Sequence, residues 1–375
     1  MIVGFDGYFM GDPSSAWGAT ERSLLRELAE LDSDDCFRVF VTHEGRAALP
    51  DLVNVQAIEV RPSKLHNALG RTRSLEAAIR SMRPAMDVYI ETCEILPRVD
   101  PSITVASIEH DFSQGRLEYP LSLSRLSGIV YRRWHLRSVR RADILLCNSN
   151  FTLQQLKEYL RPGQATGVFP HGCDEAYRER GDGPGEPNGP SSPQELGRYF
   201  LFVGRVRVRH KRFELLLRAF DSLLSKNVDL KLVVVSSQAF TFGQRRLLRR
   251  FQDRVVLKQG LSPAAIARWY RHAVAVVLPS EYEGFGIPII EAQNVGCPVI
   301  ASNIPVFREV ADGGAIYFEG TAADLAEKME FALNRTNVDT TLAQGRLNCR
   351  KFSWRTSAEL ILGCIHHPHA QTQIT

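Results

Sequence analysis

Residues 279–292 read PSEYEGFGIPIIEA and join an apolar run to a predicted helix. The apolar run Val274–Pro279 predicts a buried strand, two glycines follow in the turn, and Pro288 falls in the first helical turn, where proline is favoured. Gly284 and Gly286 allow the backbone to approach a ligand closely. The exposed N–H groups and the dipole at a helix start favour an anion such as a diphosphate. The stretch therefore predicts an anion-binding strand–turn–helix unit.

Two carboxylates, Glu283 and Glu291, lie in the same stretch. A diphosphate would repel them, so we expect them to bind hydroxyl groups, because an ionised carboxylate can accept from two neighbouring O–H groups. A sugar ring and a ribose diol supply such hydroxyls. The alternative interpretation is an ordinary helix start with acidic residues and a packing glycine.

Apolar runs alternate with helical patterns along nearly the whole chain, whose 375 residues fit two α/β domains. In the first half the predicted strands are Met1–Phe5, Phe37–Val41, Val88–Ile90, Ile103–Ile108, Ile144–Cys147 and Gly167–Phe169. The predicted helices there are Ala19–Leu31, Ser74–Met82 and Phe151–Leu160, the last capped by Ser149 or Asn150. Such alternation implies mostly parallel sheets covered by helices on both faces.

The composition changes over residues 179–193, which are rich in Gly, Pro and Ser and lack apolar periodicity. We therefore expect an N-terminal domain over 1–178, a linker over 179–198 and a second domain over 199–352. A C-terminal helix and tail over 353–375 is expected to cross back to the first domain. The predicted strands of the second domain are Tyr199–Gly204, Lys231–Val235, Val255–Lys258, Val274–Pro279 and Pro298–Ala301.

The spacing from Glu283 to Glu291 resembles the E-x7-E motif of retaining GT-B glycosyltransferases of family 4, also called glycosyl transferases group 1. The resemblance implies an α/β GT-B fold, with two doubly wound Rossmann-like domains and an interdomain cleft. It also implies that Glu283 lies beside the transferred hexose and the phosphates and that Glu291 binds the nucleotide ribose. The backbone of Gly284, Phe285 and Gly286 would then face the donor sugar and diphosphate.

A basic loop follows the first predicted strand of the second domain. Its cationic residues are Arg205, Arg207, Arg209, Lys211 and Arg212. Charge runs are usually solvated surface, but a leaving nucleoside diphosphate carries about two negative charges that fixed cations in a water-poor site can stabilise. The loop is similar to the family's glycine–arginine–lysine pattern, and this resemblance assigns Arg205 and Lys211 to the diphosphate.

Two features of the first domain also resemble the family. Gly18 matches a glycine-rich loop near the donor and acceptor, although Trp17 replaces the usual second glycine. A plain turn residue is the alternative. His110 and Asp111 end a predicted strand and resemble a His-Asp pair whose histidine contacts the donor sugar. A lone histidine is more often structural, but its place at a strand end favours a role in binding.

The resemblance implies transfer of a hexose from a nucleotide-diphosphate sugar to a glycan or lipid-linked acceptor, with retention of configuration. The Phe307-Arg-Glu309 turn, taken with His110-Asp111 and the Glu283 motif, resembles bacterial mannosyl- and rhamnosyltransferases of polysaccharide assembly, and this resemblance favours GDP-mannose as the donor. The Asp32-Ser-Asp34 triplet matches a D-x-D metal motif, but it lies at a helix–strand turn, where Asp and Ser are common. We therefore assign no metal and no cofactor. A nucleotide-sugar 2-epimerase-like isomerase and a non-catalytic sugar-binding protein remain alternatives, because they can share the fold.

The sequence also predicts where the protein works. Its seven cysteines lie far apart without a C-x-x-C pair, which favours a reducing compartment. The first residues lack signal-peptide features, and no apolar run approaches the ~20 residues of a membrane span. We expect a cytoplasmic protein, peripheral at the inner face of the membrane, with no nucleic-acid partner.

One arginine-rich stretch suits an anionic bilayer surface, since its basic residues alternate with aliphatic and aromatic ones. Its arginines are Arg125, Arg132, Arg133, Arg137, Arg140 and Arg141, with Tyr131 and Trp134 among them. The alternative is a core helix whose arginines point to water.

Overall fold

The computed structural model describes residues 1–12, 15–61, 68–112, 125–178, 193–226 and 229–367. The chain forms two compact units. One comprises Met1–Gly172 together with Ser353–Thr375, and the other comprises Cys173–Phe352. Residues 179–192, which make up most of the predicted linker, lie outside the described ranges.

The first unit contains a seven-stranded sheet in the order β3-β2-β1-β4-β5-β6-β7. Every adjacent pair of strands is parallel. The strands are β1 Ile2–Asp6, β2 Cys36–Val41, β3 Val55–Glu59, β4 Val88–Glu91, β5 Thr104–Glu109, β6 Ile144–Cys147 and β7 Ala165–Val168. The helices of this unit are α1 Ala16–Leu31, α2 Ala68–Ser81, α3 Arg125–Arg141, α4 Asn150–Leu156 and, at the end of the chain, α12 Trp354–His366.

Apolar cores cover both faces of this sheet, as the strand–helix alternation predicts. Val39 and Phe40 are neighbours in β2 but belong to different clusters, because successive side chains of a strand point to opposite faces. Val39 packs in the cluster that includes Leu24, Leu25 and Leu28 of α1 and Ile361 of α12. Phe40 packs in the cluster that includes Tyr89 of β4 and Leu75 and Ile79 of α2.

The C-terminal helix α12 packs against α1 in the first unit. Ser353 caps its start, with the side-chain oxygen accepting a hydrogen bond from the backbone N–H of Thr356 at 3.0 Å. Ser149 caps α4 in the same way, accepting from Thr152 N–H at 3.0 Å, as the sequence predicts. The predicted helix Phe151–Leu160 is shorter than expected, because α4 ends at Leu156 and a 3₁₀ turn, Lys157–Tyr159, follows.

The second unit contains a six-stranded sheet in the order β10-β9-β8-β11-β12-β13, again with parallel neighbours. Its strands are β8 Tyr199–Val203, β9 Lys231–Val235, β10 Val255–Lys258, β11 Ala275–Leu278, β12 Val299–Ser302 and β13 Ile316–Phe318. Its helices are α5 Phe213–Leu224, α6 Phe242–Leu248, α7 Pro263–His272, α8 Ile287–Val295, α9 Pro305–Ala311, α10 Ala322–Ala332 and α11 Asp339–Asn348.

Strand order reverses once in each sheet, between β1 and β4 in the first unit and between β8 and β11 in the second. The connections on either side of such a switch point run to opposite faces, which leaves a crevice at the carboxyl ends of the two strands. Ligands of open parallel sheets bind in that crevice. The predicted basic loop follows β8, and the predicted glycine turn follows β11, so both lie at the switch point of the second unit.

Candidate functional site

The loops after β8 and β11 are joined at the switch point of the second unit. The backbone N–H of Glu281 donates a hydrogen bond to the carbonyl of His210 at 2.9 Å. Nζ of Lys211 lies 2.5 Å from Oε1 of Glu283, with the side chains 23% and 16% exposed. The residue assigned to the diphosphate and the residue assigned to the hexose therefore form one ion pair that ligands can still reach.

A left-handed residue fixes the end of the basic loop. Arg212 directly precedes α5 and has a φ of 47°. This left-handed backbone conformation is unfavourable for any residue other than glycine. Its guanidinium donates to the carbonyl of Gly320 at 2.9 Å and its Nε lies 4.0 Å from Glu281 Oε2. These contacts hold the turn and thereby position the adjacent Lys211.

The five cationic side chains of the basic loop differ in their partners. Arg207 donates to the carbonyl of Ala239 at 2.8 Å, so it stabilises the loop itself. Arg212 is held at Gly320, and Lys211 is paired with Glu283. Within the described ranges, the exposed side chains of Arg205 and Arg209 make no hydrogen bond or ion pair. These two guanidiniums are therefore available to an anionic ligand.

The glycine turn is shaped by close packing. Gly286 has φ 114°, and a Cβ built on it would lie 2.9 Å from a ring carbon of Phe307. No other residue fits this position without a shift of the backbone or of Phe307. The ring of Phe285 is buried and meets Phe352 edge-on at 5.7 Å between centroids. The Phe285 ring is therefore engaged in packing, and the predicted contact of its backbone with the donor stays a prediction.

Glu291 lies in α8, next to two tyrosines. Its Oε2 accepts a hydrogen bond from the hydroxyl of Tyr270 at 2.9 Å, and the ring of Tyr177 meets that of Tyr270 at 6.1 Å. Burial raises the pKa of Glu291 to about 7, although the hydrogen bonds from Tyr270 and Tyr177 oppose the shift. A carboxyl with this pKa changes its charge near neutrality, and its binding of hydroxyl groups then depends on pH.

Gly18 is the third residue of α1, and its surroundings alone require a glycine. A Cβ there would lie 2.2 Å from the carbonyl oxygen of Phe9. Its backbone N–H donates to the capping Ser15 side chain at 3.2 Å. Close packing therefore accounts for this glycine, and a contact with substrate stays a prediction.

His110 follows β5 and is buried beside a second histidine. Its Nδ1 lies 3.3 Å from Nε2 of His171, whose ring meets that of Trp354 at 5.3 Å. Burial lowers the pKa of His110 to about 4, so its ring is neutral near pH 7. Asp111 is half-buried next to it. The packing of His110 is that of a structural residue, and its predicted sugar contact stays a prediction.

The first unit contains a cluster of buried carboxyl groups at its switch point. The sequence did not lead us to expect it. It contains Asp6 at the end of β1, Glu91 at the end of β4, Glu109 at the end of β5, Glu21 on α1, and Glu94. A signal for it exists, since Asp6, Glu91 and Glu109 directly follow the apolar positions of three predicted strands. We call this group the buried carboxyl cluster.

Two cationic side chains neutralise part of the buried carboxyl cluster. Nη1 of Arg71 lies 2.7 Å from Oδ2 of Asp6, and its Nη2 lies 3.5 Å from Oε1 of Glu91. Nε2 of His135 lies 2.6 Å from Oε2 of Glu109. Burial lowers the pKa of His135, but the Glu109 carboxylate outweighs it and raises that pKa to about 9. His135 is therefore a cation at neutral pH.

The carboxyl groups of the cluster outnumber these two cations. Burial raises the pKa of Glu91 to about 7 and that of Glu94 to about 8. Burial also raises the pKa values of Asp6 and Glu21. Glu94 has φ 68° and its Oε2 accepts from the hydroxyl of Tyr131 at 2.5 Å. The cluster therefore takes up and releases protons near neutral pH.

The D-x-D triplet forms the turn predicted for it. Asp32 follows α1, its Oδ1 accepts from the N–H of Asp35 at 3.2 Å, and Asp34 points to solvent. Asp32, Asp35 and His366 come within 4.8 Å of one another. However, the N-terminal nitrogen lies 2.5 Å from Asp35 Oδ1 and Nε2 of His366 lies 3.1 Å from Oδ2, so both oxygens of this carboxylate already have partners.

The arginines of α3 fall into two groups. The first group is bound to the protein: Arg132 donates to the hydroxyl of Tyr159, Arg140 to the carbonyl of Tyr159 and Arg141 to that of Pro97, over 3.1–3.2 Å. Arg133 and Arg137 are exposed, as are Ile129 and Val130 at 44% each. The side chain of Arg125 lies outside the described part of the structure. Among the helices that the structure describes, none combines the length and apolar character needed to cross a bilayer.

Comparison with known proteins finds a family to which the second unit is similar. Residues 190–345 match the model of the family described as Glycosyl transferases group 1. The serotype-specific mannosyltransferase WbdA of Escherichia coli is 27% identical over 286 residues, which are 72% of this chain and 32% of that protein. The chain therefore spans about a third of that relative's length.

Solved structures show a similar fold. WaaG, described as a glycosyltransferase involved in lipopolysaccharide biosynthesis, has a TM-score of 0.73 at 16% identity, covering 97% of this chain and 99% of that one. HepE of Anabaena, in complex with UDP-glucose, has a TM-score of 0.69 at 16% identity, covering 98% of this chain and 99% of that one. These similarities confirm the α/β GT-B fold that the sequence predicts. The family match covers both loops that the Lys211–Glu283 pair joins, so residues 190–345 of this chain are similar to the glycosyl transferases group 1 family.

Proposed function

We propose that the chain is a glycosyltransferase that moves a hexose from a nucleotide-diphosphate sugar to an acceptor hydroxyl. The observation that carries the proposal is the Lys211–Glu283 pair at the switch point of the second unit. In this pair, the Lys211 ammonium can bind phosphate, and the adjacent Glu283 carboxylate can accept hydrogen bonds from sugar hydroxyls. The exposed Arg205 adds a second cation at the carboxyl end of β8.

The proposed donor class is a nucleotide sugar, and GDP-mannose is the favoured member. The mannosyltransferase named among the relatives supports mannose, and the solved HepE complex with UDP-glucose supports a nucleotide-sugar site in this fold. Glu291 accepts hydrogen bonds from the ribose hydroxyls. Gly284, Phe285 and Gly286 offer their backbone to the hexose and diphosphate, since the Phe285 ring is turned inward.

The proposed reaction retains the anomeric configuration and uses side-chain cations where other transferases use a metal. The bond between the anomeric carbon and the diphosphate oxygen breaks, and the acceptor oxygen bonds to that carbon on the same face. The acceptor proton passes to the leaving diphosphate. Arg205 and Lys211 stabilise the negative charge that develops on the leaving group, and Glu283 positions the hexose.

The first unit contributes to sugar recognition through His110, Asp111 and the segment at Gly18. A neutral imidazole can donate from one nitrogen and accept at the other, which suits a sugar hydroxyl. The proposed acceptor is a glycan or a lipid-linked glycan. Arg133 and Arg137, together with the exposed Ile129 and Val130, support contact with an anionic membrane surface.

Product analysis tests the proposal. The protein is incubated with GDP-mannose, UDP-glucose and related nucleotide sugars, with and without a glycan acceptor fraction, and the products are resolved by chromatography and NMR. We expect release of nucleoside diphosphate and a new glycosidic bond of retained configuration only when acceptor is present. Conversion of the sugar without an acceptor would indicate an isomerase instead. Unchanged nucleotide sugars in every mixture would favour a non-catalytic binding protein.

A further inference from the structure

A basic concavity lies on the first unit, between α2, α3 and the segment that follows β4. Its volume is about 740 Å³. Among its lining residues are Arg73 of α2, Arg98 of the segment, and Arg137 and Arg141 of α3. Glu76 and Trp134 also line it. We call this site the arginine groove.

Cations outnumber carboxylates in the arginine groove, since four guanidiniums face a single carboxylate, that of Glu76. Glu76 is itself engaged, because its Oε1 accepts from the backbone N–H of Arg98 at 2.9 Å and its Oε2 lies 3.9 Å from Arg80. Within the described ranges, the side chains of Arg73, Arg98 and Arg137 make no hydrogen bond or ion pair. The groove therefore keeps an excess of positive charge that the protein does not neutralise.

The guanidiniums are close enough to affect one another. Partial desolvation lowers the pKa of Arg141, the Glu76 carboxylate opposes this shift and the Arg98 guanidinium adds to it. Holding like charges together costs free energy in the unliganded protein, and a bound anion would remove that cost. An arrangement of this kind is more frequent at binding sites than on ordinary surface.

The walls of the groove are fixed before any ligand arrives. The N–H of Leu96 donates to Oγ of Ser138 at 2.9 Å, which ties the segment after β4 to α3. Arg141 donates to the carbonyl of Pro97 at 3.1 Å, which ties the same two elements at a second point. The Arg98–Glu76 hydrogen bond joins that segment to α2. A preformed site binds without paying to order its walls.

We propose that the arginine groove binds a phosphate-bearing ligand. Guanidiniums match the geometry of phosphate oxygens and bind them through paired, charge-assisted hydrogen bonds. The groove has room for a group larger than one phosphate, and the half-buried Trp134 offers an amphipathic ring to the part that adjoins it. The site lies in the first unit and does not involve the basic loop after β8, so it is independent of the proposed donor site.

Direct titration tests the proposal with inorganic pyrophosphate as the probe. All proteins carry Arg205→Ala, so that the proposed donor site contributes little, and heat of binding is measured at low salt. The groove variant combines Arg98→Gln with Arg137→Gln. The control combines Arg26→Gln with Arg46→Gln, which removes the same charge from two exposed positions that do not line the groove. All four arginines are exposed, so both variants should fold.

We expect the groove variant to bind pyrophosphate at least tenfold more weakly and the control within about twofold of its parent. Equal losses in the two variants would indicate a diffuse basic surface, and absence of binding by the parent would leave no site. Either result overturns the proposal.

A second arm distinguishes the two sources of phosphate. The same proteins are sedimented with phosphatidylcholine vesicles with and without phosphatidylglycerol. Loss of binding to anionic vesicles in the groove variant, with binding kept in the control, supports a lipid headgroup as the ligand. Pyrophosphate binding at the groove without vesicle binding supports a phosphate on a free molecule. Failure of both arms is distinguishable from failure of the proposed transfer reaction, because neither arm measures activity.

Discussion

Nζ of Lys211 lies 2.5 Å from Oε1 of Glu283, across a sequence separation of 72 residues. The pair connects the loops that follow β8 and β11, the two strands at which the sheet reverses its order. A diphosphate that approaches Lys211 therefore meets an ammonium already shared with a carboxylate. The proposed mechanism needs Lys211 to divide its hydrogen bonds between Glu283 and the leaving phosphate, which an ammonium with three donors can do.

Glu283→Gln should preserve the fold and reduce kcat by about 10²–10³-fold, the size found when a preorganised charged contact to a transition state is removed. The charge is lost while the volume is kept, and the partly exposed pair contributes little to stability. Steady-state kinetics and thermal unfolding measure the two effects. Glu327→Gln, which changes an exposed carboxylate of the same unit outside the site, should retain normal turnover. A Glu283→Gln protein with wild-type kcat would place the chemistry elsewhere.

Transfer should proceed at an undiminished rate in EDTA, because Arg205 and Lys211 are proposed to act in place of a metal. Arg205→Ala should slow turnover strongly, whereas Arg209→Ala, also exposed but without a family counterpart in the basic loop, should have a weaker effect. Initial rates with and without chelator test the first statement, and the two variants test the second. Loss of activity in EDTA that Mg²⁺ or Mn²⁺ restores would refute this mechanism.

Nucleotide binding should strengthen as the pH rises through 7. Burial raises the pKa of Glu291 to about 7, and only the ionised carboxylate can accept from both ribose hydroxyls. If the neutral form does not bind, the affinity for nucleotide should increase about tenfold between pH 6 and pH 8, because the ionised fraction of Glu291 increases by about that factor. Titrations at several pH values measure the effect.

The matched variants for this prediction are Glu291→Gln and Glu327→Gln. The first should bind weakly and with a flat pH profile, because no carboxyl remains to ionise. The second changes an exposed carboxylate of the same unit and should keep the wild-type profile. A pH dependence that survives in Glu291→Gln would assign it to another group.

Glu91 and Glu94 should make the free energy of unfolding decrease as the pH rises from about 5 to 8. Burial raises the pKa of Glu91 to about 7 and that of Glu94 to about 8, above the ordinary value of 4.5. Across this window the folded state holds more protons than the unfolded state, so the slope of stability against pH is negative. Protonation of His135 in the folded state, with its pKa at about 9, adds to the decrease above pH 6.5.

Denaturant unfolding at several pH values measures this slope. Glu94→Gln should flatten it, since the amide cannot ionise, while the exposed Glu158→Gln should leave it unchanged. His110 should make the free energy of unfolding increase with pH between about 4 and 6.5. Its pKa is lowered to about 4 in the folded state, so the unfolded state binds more protons in this range. A slope that Glu94→Gln does not alter would show that this carboxyl does not titrate in the window.

Much of the fold follows from local patterns. Short apolar runs predict eleven of the strands that the structure describes, and the two that were missed, β3 and β13, are the edge strands Val55–Glu59 and Ile316–Phe318. An edge strand has one neighbour and partly exposed faces, so its apolar pattern is weaker. Helix starts at Ser149 and Ser353 follow from capping chemistry, which acts within three residues.

The sequence by itself determined the two strand–turn–helix segments of the second unit, the basic loop after β8 and the glycine turn after β11. In each, the residues that define the turn are neighbours in the sequence. Only the tertiary structure decided which distant groups meet: Lys211 with Glu283, Arg71 with Asp6 and Glu91, and Arg98 with Arg137 and Arg141 around one groove. The physical reason is the order of the parallel strands. It places the carboxyl ends of strands distant in sequence side by side. Burial there raises the pKa values of Glu91 and Glu94, and the nearby Glu109 carboxylate raises that of His135.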